Sequence, residues 1–328
     1  MIIFEIILFF LFIIVASTSI AGYGSLINLK NNHNIFTDIF LGFVLISSIT
    51  TFTHFFVKID HLASLILVIF GVIFFLIKKR FTVYKFLKKK IIYIIIVLIL
   101  LPMFISQKYH EDFGYYHLPY ALAFVEEKII FGFANIDKPY VYNSIWLNLK
   151  PIFYFDKNFN FLTLPSFILF LFFLIFSINK VLREASFKLS DYFMIICLFY
   201  FILKFTRISE FGVDLPGVIF SILSIYYFIR FIESNDNFEK KELFFLNFIF
   251  SIFAILIKLN NIPVILLSLY LYFFDFKNLK FIIFKKKFLL IYLIFFIFFV
   301  QQFIYTGCLL FPTKFTCLNV GWFHEDHL

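Results

Sequence analysis

Two adjacent carboxylates, Glu111 and Asp112, directly follow the fourth long apolar stretch of the chain, in the run HEDFGYYH at residues 110–117. A carboxylate at a membrane boundary can take the proton of a reacting hydroxyl and so act as a general base. The pair also offers the oxygen ligands that divalent cations prefer, so Glu111 and Asp112 are candidate cation ligands, although nothing in the sequence requires a metal. The structural alternative is that Asp112 caps a helix that begins near Tyr115. The flanking His110 and His117 are interpreted as supporting polar residues rather than as metal ligands.

A second polar cluster, RISEFGVDLP, occupies residues 207–216 between two apolar stretches. Arg207 is a candidate phosphate ligand, because its planar fork can donate two parallel hydrogen bonds. The alternative is an ordinary helical hairpin, with an Arg207–Glu210 pair, Asp214 as a helix N-cap and Pro216 in the first turn.

A third cluster, KLNNIP at residues 258–263, interrupts an apolar stretch that would otherwise be continuous. Lys258 could extend its amine to the membrane interface, or it could bind an anionic headgroup or phosphate. The sequence contains no GxGxxG, Walker, HExxH or CxxC motif, so nucleotide and zinc chemistry have no support.

The elements that must position these clusters are apolar helices. Of the 328 residues, 62% are hydrophobic and 15% are charged, against roughly 25% charged in soluble domains. The mean hydropathy is +0.98. Apolar stretches of about 20 residues predict an all-α polytopic membrane protein with about ten spans. The predicted spans are 4–27, 37–57, 62–77, 91–106, 162–179, 191–206, 213–231, 243–257, 261–274 and 288–306. The first is interpreted as a span rather than a cleaved signal, because no basic residue precedes Lys30 and Glu5 stands where a signal would be basic.

The distribution of Lys and Arg predicts the orientation. One set of alternate loops holds 19 of the 29 basic residues, mostly in 78–90 and 277–287, so this set should be cytoplasmic. All three polar clusters and both termini then lie on the non-cytoplasmic face of the cell inner (cytoplasmic) membrane. This bias also accounts for the net charge of +9, so nucleic-acid binding is not expected.

The predicted spans divide the chain into an N-terminal four-helix region at 1–106, a non-cytoplasmic loop at 107–161 and a C-terminal membrane region at 162–328. The loop contains the acidic motif and an amphipathic stretch at 116–130, which predicts helices lying on the membrane surface. Cys308 and Cys317 fall outside the membrane in this topology and are candidates for a disulfide.

Several short blocks of the sequence are similar to those of a bacterial family of multispanning membrane proteins related to the GT-C glycosyltransferases. The blocks are YYHLP at 115–119, GFAN at 132–135, NSIW at 143–146, DLP at 214–216, KL at 258–259 and GCLLFP at 307–312. Together they cover about 107–322.

The resemblance implies a GT-C-like enzyme that moves a sugar from a polyprenyl-phosphate carrier to a lipid or glycan acceptor. It implies that Asp112 is the base, with Glu111 as its substitute, and that Arg207 and Lys258 face the carrier phosphate. It also implies sugar stacking by three aromatic residues, Tyr115, Tyr116 and Trp146. The remaining candidates for substrate binding are His117, Asn143, Glu210 and Asp214.

Two other functions stay open at this stage. A transporter or flippase of lipid-linked glycans would favour ionisable residues near the bilayer midplane and inverted repeats, and neither is evident. A non-catalytic, truncated membrane protein is the third interpretation, because the resembling proteins continue with further spans beyond the position of Leu328.

Overall fold

The computed structural model describes residues 2–27, 34–79, 95–101, 111–154, 159–183, 187–204, 211–311 and 313–323. Within these ranges every regular element is a helix, which confirms the predicted all-α class. The α-helices are α1 (Ile2–Ile27), α2 (Ile35–His54), α3 (His61–Lys79), α4 (Leu118–Glu126), α5 (Ile145–Leu149), α6 (Leu164–Arg183), α7 (Leu189–Leu203), α8 (Asp214–Glu233), α9 (Asn237–Ile257), α10 (Ile265–Phe274), α11 (Phe276–Leu279) and α12 (Lys286–Thr306). Short 3₁₀ and π turns join several of them.

Six helices of the described chain, α1, α2, α3, α6, α8 and α12, are long and apolar enough to cross a membrane. A seventh span results if the helices at 259–274 and 276–284, bent by 97°, are counted as one. Three further predicted spans do not meet the same standard of length and apolarity, each for a different reason. The stretch 91–106 is described only at 95–101, α7 has 15 residues, and α9 begins with the charged run 239–242.

Contacts divide the chain into two compact units. The first consists of Met1–Phe131, Leu147–Phe172 and Ser209–Phe211, and the second of Gly132–Trp146, Phe173–Ile208 and Gly212–Leu328. Each unit therefore combines parts of the chain that the sequence-based division assigned to different regions.

The first unit is built on the close packing of α1 against α2 and α3. Gly22 of α1 faces Gly71 of α3 so closely that an added Cβ would collide with the Gly71 carbonyl oxygen. Gly42 of α2 approaches the Ile20 carbonyl oxygen in the same way. Lipid supplies no hydrophobic force that would drive membrane helices together, so their association depends on van der Waals packing. Small residues such as these strengthen that packing because they let the helix backbones approach closely.

The connection between α2 and α3 lies beside the end of α4. The Ile59 amide donates to the Phe124 carbonyl oxygen at 2.8 Å, and the Ile129 amide donates to the His54 carbonyl oxygen at 3.1 Å. These bonds place the α2–α3 connection beside the chain segment that follows α4.

The second unit contains a buried polar network between α8, α9 and α10. Asn247 donates to the Ser224 carbonyl oxygen at 2.9 Å and accepts from the Ser268 hydroxyl at 2.7 Å, and Ser251 lies 2.6 Å from Ser224. All four side chains are buried. Hydrogen bonds between apolar helices satisfy polar groups that lipid could not solvate, so this network fixes the three helices together.

The predicted interruption at 258–263 is a real break. The helix α9 ends at Ile257, a 3₁₀ turn follows at Leu259–Val264, and α10 begins at Ile265. The Ala254 carbonyl oxygen accepts both from the Lys258 backbone amide at 3.1 Å and from the Asn261 side chain at 2.9 Å, so the 3₁₀ turn is tied back to the last turn of α9.

Candidate functional site

The acidic motif lies in the first unit, at the start of a π-helical turn. The turn covers Phe113–His117 and runs directly into α4. Asp112 precedes the turn in helical conformation, and its side chain makes no capping hydrogen bond. The capping role that the sequence offered as an alternative for Asp112 is therefore not observed. Because π turns are rare and occur frequently at functional sites, this one marks the motif as a candidate site.

The acidic motif and the π turn that follows it present an outer and an inner set of side chains. Glu111 and Tyr115 are exposed, with Tyr115 at 55%, and Asp112 and Tyr116 are partly exposed. Phe113 and His117 are buried.

The inner set packs on Phe211. The Phe113 and His117 rings lie 4.8 Å and 5.6 Å from the Phe211 ring. The carboxylates and one tyrosine thus face outward from a turn that aromatic packing holds in place from behind.

A fully buried lysine, Lys150, lies behind the same aromatic group. Its amine donates to the Phe211 carbonyl oxygen and lies 3.1 Å from the centroid of the Phe211 ring. Lysine is almost never fully buried without a carboxylate partner, because an ammonium ion loses its hydration there. Burial accordingly lowers the pKa of Lys150 well below its ordinary value.

Lys150 was not among the residues predicted for the site, and it falls within the predicted loop at 107–161. Its one available signal was position, since it follows Ile145–Leu149, in which four of the five residues are apolar, and precedes Pro151, Ile152 and Phe153. A cation within such a run predicts either burial or a break in the run.

The helix α4, which continues from the π turn, is anchored to α2. The Tyr120 hydroxyl donates to Asn148 Oδ1 at 2.7 Å, and Asn148 Nδ2 donates to the Thr51 hydroxyl at 2.9 Å. All three side chains are buried. This chain of hydrogen bonds fixes the position of the helix that carries the acidic motif at its N-terminal end.

The predicted phosphate-binding residues belong to the second unit or lie outside the described residues. Arg207 and Glu210 are outside them. Lys258 forms an ion pair with Asp214, and the two side chains are 40% and 59% exposed. Asp214 is the first residue of α8 rather than its N-cap, which is Val213, so the capping alternative for Asp214 was wrong by one position. Pro216 lies in the first turn of α8, as that alternative expected.

Two predicted substrate-binding residues are in the interior of the second unit. Trp146 is fully buried and packs edge-on against Phe220, with 6.5 Å between ring centroids. Asn143 is also buried and donates to Gln301 Oε1 at 2.9 Å. The prediction that Trp146 stacks on a sugar therefore needs correction, because a ring with no exposed surface has no face to offer. The apolar neighbours that make Trp146 prominent in the sequence are also what bury it.

The remaining predicted features concern metal and disulfide chemistry. Across the part of the chain that the structure describes, no three His, Cys, Asp or Glu side chains come together as a metal site. Cys308 and Cys317 form a disulfide in the second unit, where Cys308 packs with Ala134, Val141 and Phe311.

The apolar helices and the structured polar connection between them define a class: this is a multi-pass α-helical membrane protein. The chain belongs to the family described as Domain of unknown function (DUF8201), whose model matches residues 1–328. No curated protein and no solved structure matches the chain.

Proposed function

We propose that this protein is a GT-C-like glycosyltransferase that moves a sugar from a polyprenyl-phosphate carrier to an envelope lipid or glycan acceptor. The observation that carries the proposal is the position of Asp112, which is partly exposed, lies beside exposed Glu111 and directly precedes a π-helical turn. A partly exposed carboxylate close in the chain to an exposed tyrosine can meet a substrate hydroxyl.

In the proposed reaction the Asp112 carboxylate accepts the proton of the acceptor hydroxyl. The hydroxyl oxygen then bonds to the anomeric carbon of the donor sugar, and the bond from that carbon to the phosphate oxygen breaks. The electron pair leaves with the polyprenyl phosphate. Tyr115 and Tyr116 offer aromatic faces beside the carboxylate, where a pyranose ring could stack.

The buried residues behind the π turn would act by positioning. Lys150 holds the Phe211 carbonyl, and Phe211 in turn packs on Phe113 and His117 of the turn. A catalytic group contributes fully only when packing holds its geometry, and the packing of Phe113 and His117 on Phe211 supports the turn that Asp112 precedes. The roles of Arg207 and Lys258 toward the carrier phosphate stay predictions from the resemblance.

The proposal includes the finer topology. Ten spans result when the stretch at 95–101, α7, α9 and α10 are counted with the six long apolar helices. The acidic motif then lies on the non-cytoplasmic face of the cytoplasmic membrane, as the distribution of basic residues predicts.

The test is a transfer assay with purified protein reconstituted in liposomes. Polyprenyl-phosphate sugars are supplied with envelope lipid or glycan acceptors, and release of free polyprenyl phosphate is measured. Asp112→Asn should reduce release by about 100-fold or more, in line with loss of a general base. Asp236→Asn is the matched control, because it removes the same charge at an exposed N-cap where Asn serves as well as Asp.

Full release by Asp112→Asn would remove the proposed base. No release from any donor by folded wild-type protein would reject the glycosyltransferase proposal. In that case movement of the donor across the bilayer, measured in the same liposomes, would favour the transporter.

A further inference from the structure

An open cavity of about 570 Å³ lies in the first unit, away from the groups used above. It is formed where α2 leads into α3 and where α4 ends. Its wall has two chemically different parts, one apolar and one charged.

The apolar part belongs to the surface of α3. Leu62, Ala63 and Ile66 line the cavity, and the same exposed stripe continues along the helix through Ile69 and Phe70. Because α3 is one of the apolar helices long enough to cross a membrane, this stripe would contact acyl chains. The cavity therefore opens at the point where an acyl chain on α3 would meet its headgroup.

The charged part is a rim of both signs. Lys58 and Asp60 come from the α2–α3 connection, and Glu126, Glu127 and Lys128 come from the end of α4. The Lys58 amine lies 3.9 Å from the Asp60 carboxylate oxygen Oδ2. Within the described residues Glu126, Glu127 and Lys128 form no ion pair, and all three side chains are exposed. Two carboxylates and an ammonium group are thus available to a ligand at one edge of the cavity.

The rim is held in place by its backbone. The His54 ring stacks on Phe124 with 3.6 Å between centroids, and its Nε2 lies 3.1 Å from the Glu127 carbonyl oxygen. The bond from the Ile129 amide to the His54 carbonyl oxygen closes the other side of the same turn. The backbone of this charged edge is therefore already in position for a ligand, which limits the ordering cost of binding to the side chains.

We propose that this cavity binds a zwitterionic phospholipid with a primary amine headgroup. The ammonium group of the lipid bonds to the Glu126 and Glu127 carboxylates, its phosphate pairs with Lys128 and Lys58, and one acyl chain lies along the α3 stripe. A purely anionic lipid would leave the two glutamates opposed to its charge. A choline headgroup carries no N–H to donate to them. This inference does not depend on glycosyl transfer.

The first test uses the wild-type full chain and needs no variant. Detergent-solubilised protein is exposed to equimolar phosphatidylethanolamine, phosphatidylcholine and phosphatidylglycerol of identical acyl chains, and retained lipid is counted by native mass spectrometry. Phosphatidylethanolamine should be retained at least fivefold over each of the others. Equal retention of the three lipids would indicate ordinary lipid contact and overturn the proposal.

The second test assigns the headgroup contacts. Glu126→Gln with Glu127→Gln keeps size and hydrogen-bonding capacity but removes both charges, so the preference for ethanolamine over choline should fall to about twofold or less. Lys128→Gln should weaken retention of all three phospholipids while keeping their order. Asp236→Asn serves as the control with unchanged retention. An undiminished ethanolamine preference in the double variant would overturn the assignment, and if that variant fails to fold, Glu127→Gln alone gives the same comparison.

Discussion

The amine of Lys150 donates to the carbonyl oxygen of Phe211 and also lies against the ring of the same residue, 3.1 Å from its centroid. Both of these contacts of the buried amine are made with one residue, 61 positions away in the sequence. The Phe211 ring also contacts the π turn, because the Phe113 and His117 rings pack on it. Lys150 is therefore a support for the acidic motif rather than part of its exposed surface.

The chemical state of Lys150 predicts how the site responds to substitution. Lys150→Arg places a group that stays charged where the described residues form no ion pair with Lys150, so we expect a loss of about 3–5 kcal/mol in unfolding free energy. Lys150→Met keeps the side-chain volume and leaves the Phe211 carbonyl without its donor, so the free energy of unfolding should fall by about 1–3 kcal/mol. Denaturant unfolding in detergent gives both values. Equal stability of the Arg variant and wild type would show that the site accepts a fixed charge.

The lowered pKa of Lys150 predicts a pH dependence with a definite sign. Between its folded pKa and the ordinary value of 10.5, the unfolded chain binds a proton that the folded chain does not. Stability should therefore rise with pH in that window, by up to about 1.4 kcal/mol per pH unit, and level off above 10.5. The measurement is the stability difference between wild type and Lys150→Met from pH 7 to 10.5. Parallel curves for the two proteins would contradict the depressed pKa.

The close helix packing of the first unit predicts a cost for any side chain at Gly22. Gly22→Ala puts a methyl group into the Gly71 carbonyl, so α1 and α3 must separate, at about 3 kcal/mol. Gly321→Ala is the control, since a Cβ there meets nothing within 4 Å. Thermal unfolding of the two variants in one detergent makes the comparison. A Gly22→Ala variant as stable as the control would mean that these helices are less closely packed.

The disulfide predicts a simple thiol count. Alkylation under denaturing, non-reducing conditions should modify one cysteine, Cys197, and prior reduction should raise the count to the three cysteines of the chain. Intact-mass measurement distinguishes the two states. Three modified cysteines without reduction would place Cys308 and Cys317 in a reducing compartment and argue against the predicted orientation.

Replacing both cysteines by serine should cost about 2–3 kcal/mol, because the bond closes a short loop in the unfolded chain. The comparison is made by denaturant unfolding against wild-type protein with and without reductant. Reduced wild type and the double variant should have the same free energy of unfolding. If the oxidised protein is no more stable than either, the bond contributes nothing to the fold.

Much of the helical framework could be read from the sequence, because span length and apolarity are local properties. The limits of α1, α8 and α12 lie within a few residues of their predicted positions. The break before α10 was also predictable, since Lys258, Asn260 and Pro263 cannot continue a lipid-facing helix.

The candidate site could be predicted only in part from the sequence. Hydropathy showed that Glu111 and Asp112 follow an apolar stretch, and residue chemistry suggested what carboxylates can do there. Neither property of the sequence could show that the pair would precede a π turn, because that geometry is set by how Phe113 and His117 pack on Phe211.

By itself the sequence determined the class of the protein, the approximate positions of most of its helices and the location of its polar clusters, because each depends on neighbouring residues. Only the tertiary structure decided which polar residues are inside. It buried Lys150 and Trp146, both assigned to an outer loop, and it brought His54 to Glu127 across 73 positions. The physical reason is that burial and hydrogen bonding depend on partners distant in the chain, which no local pattern of residues specifies.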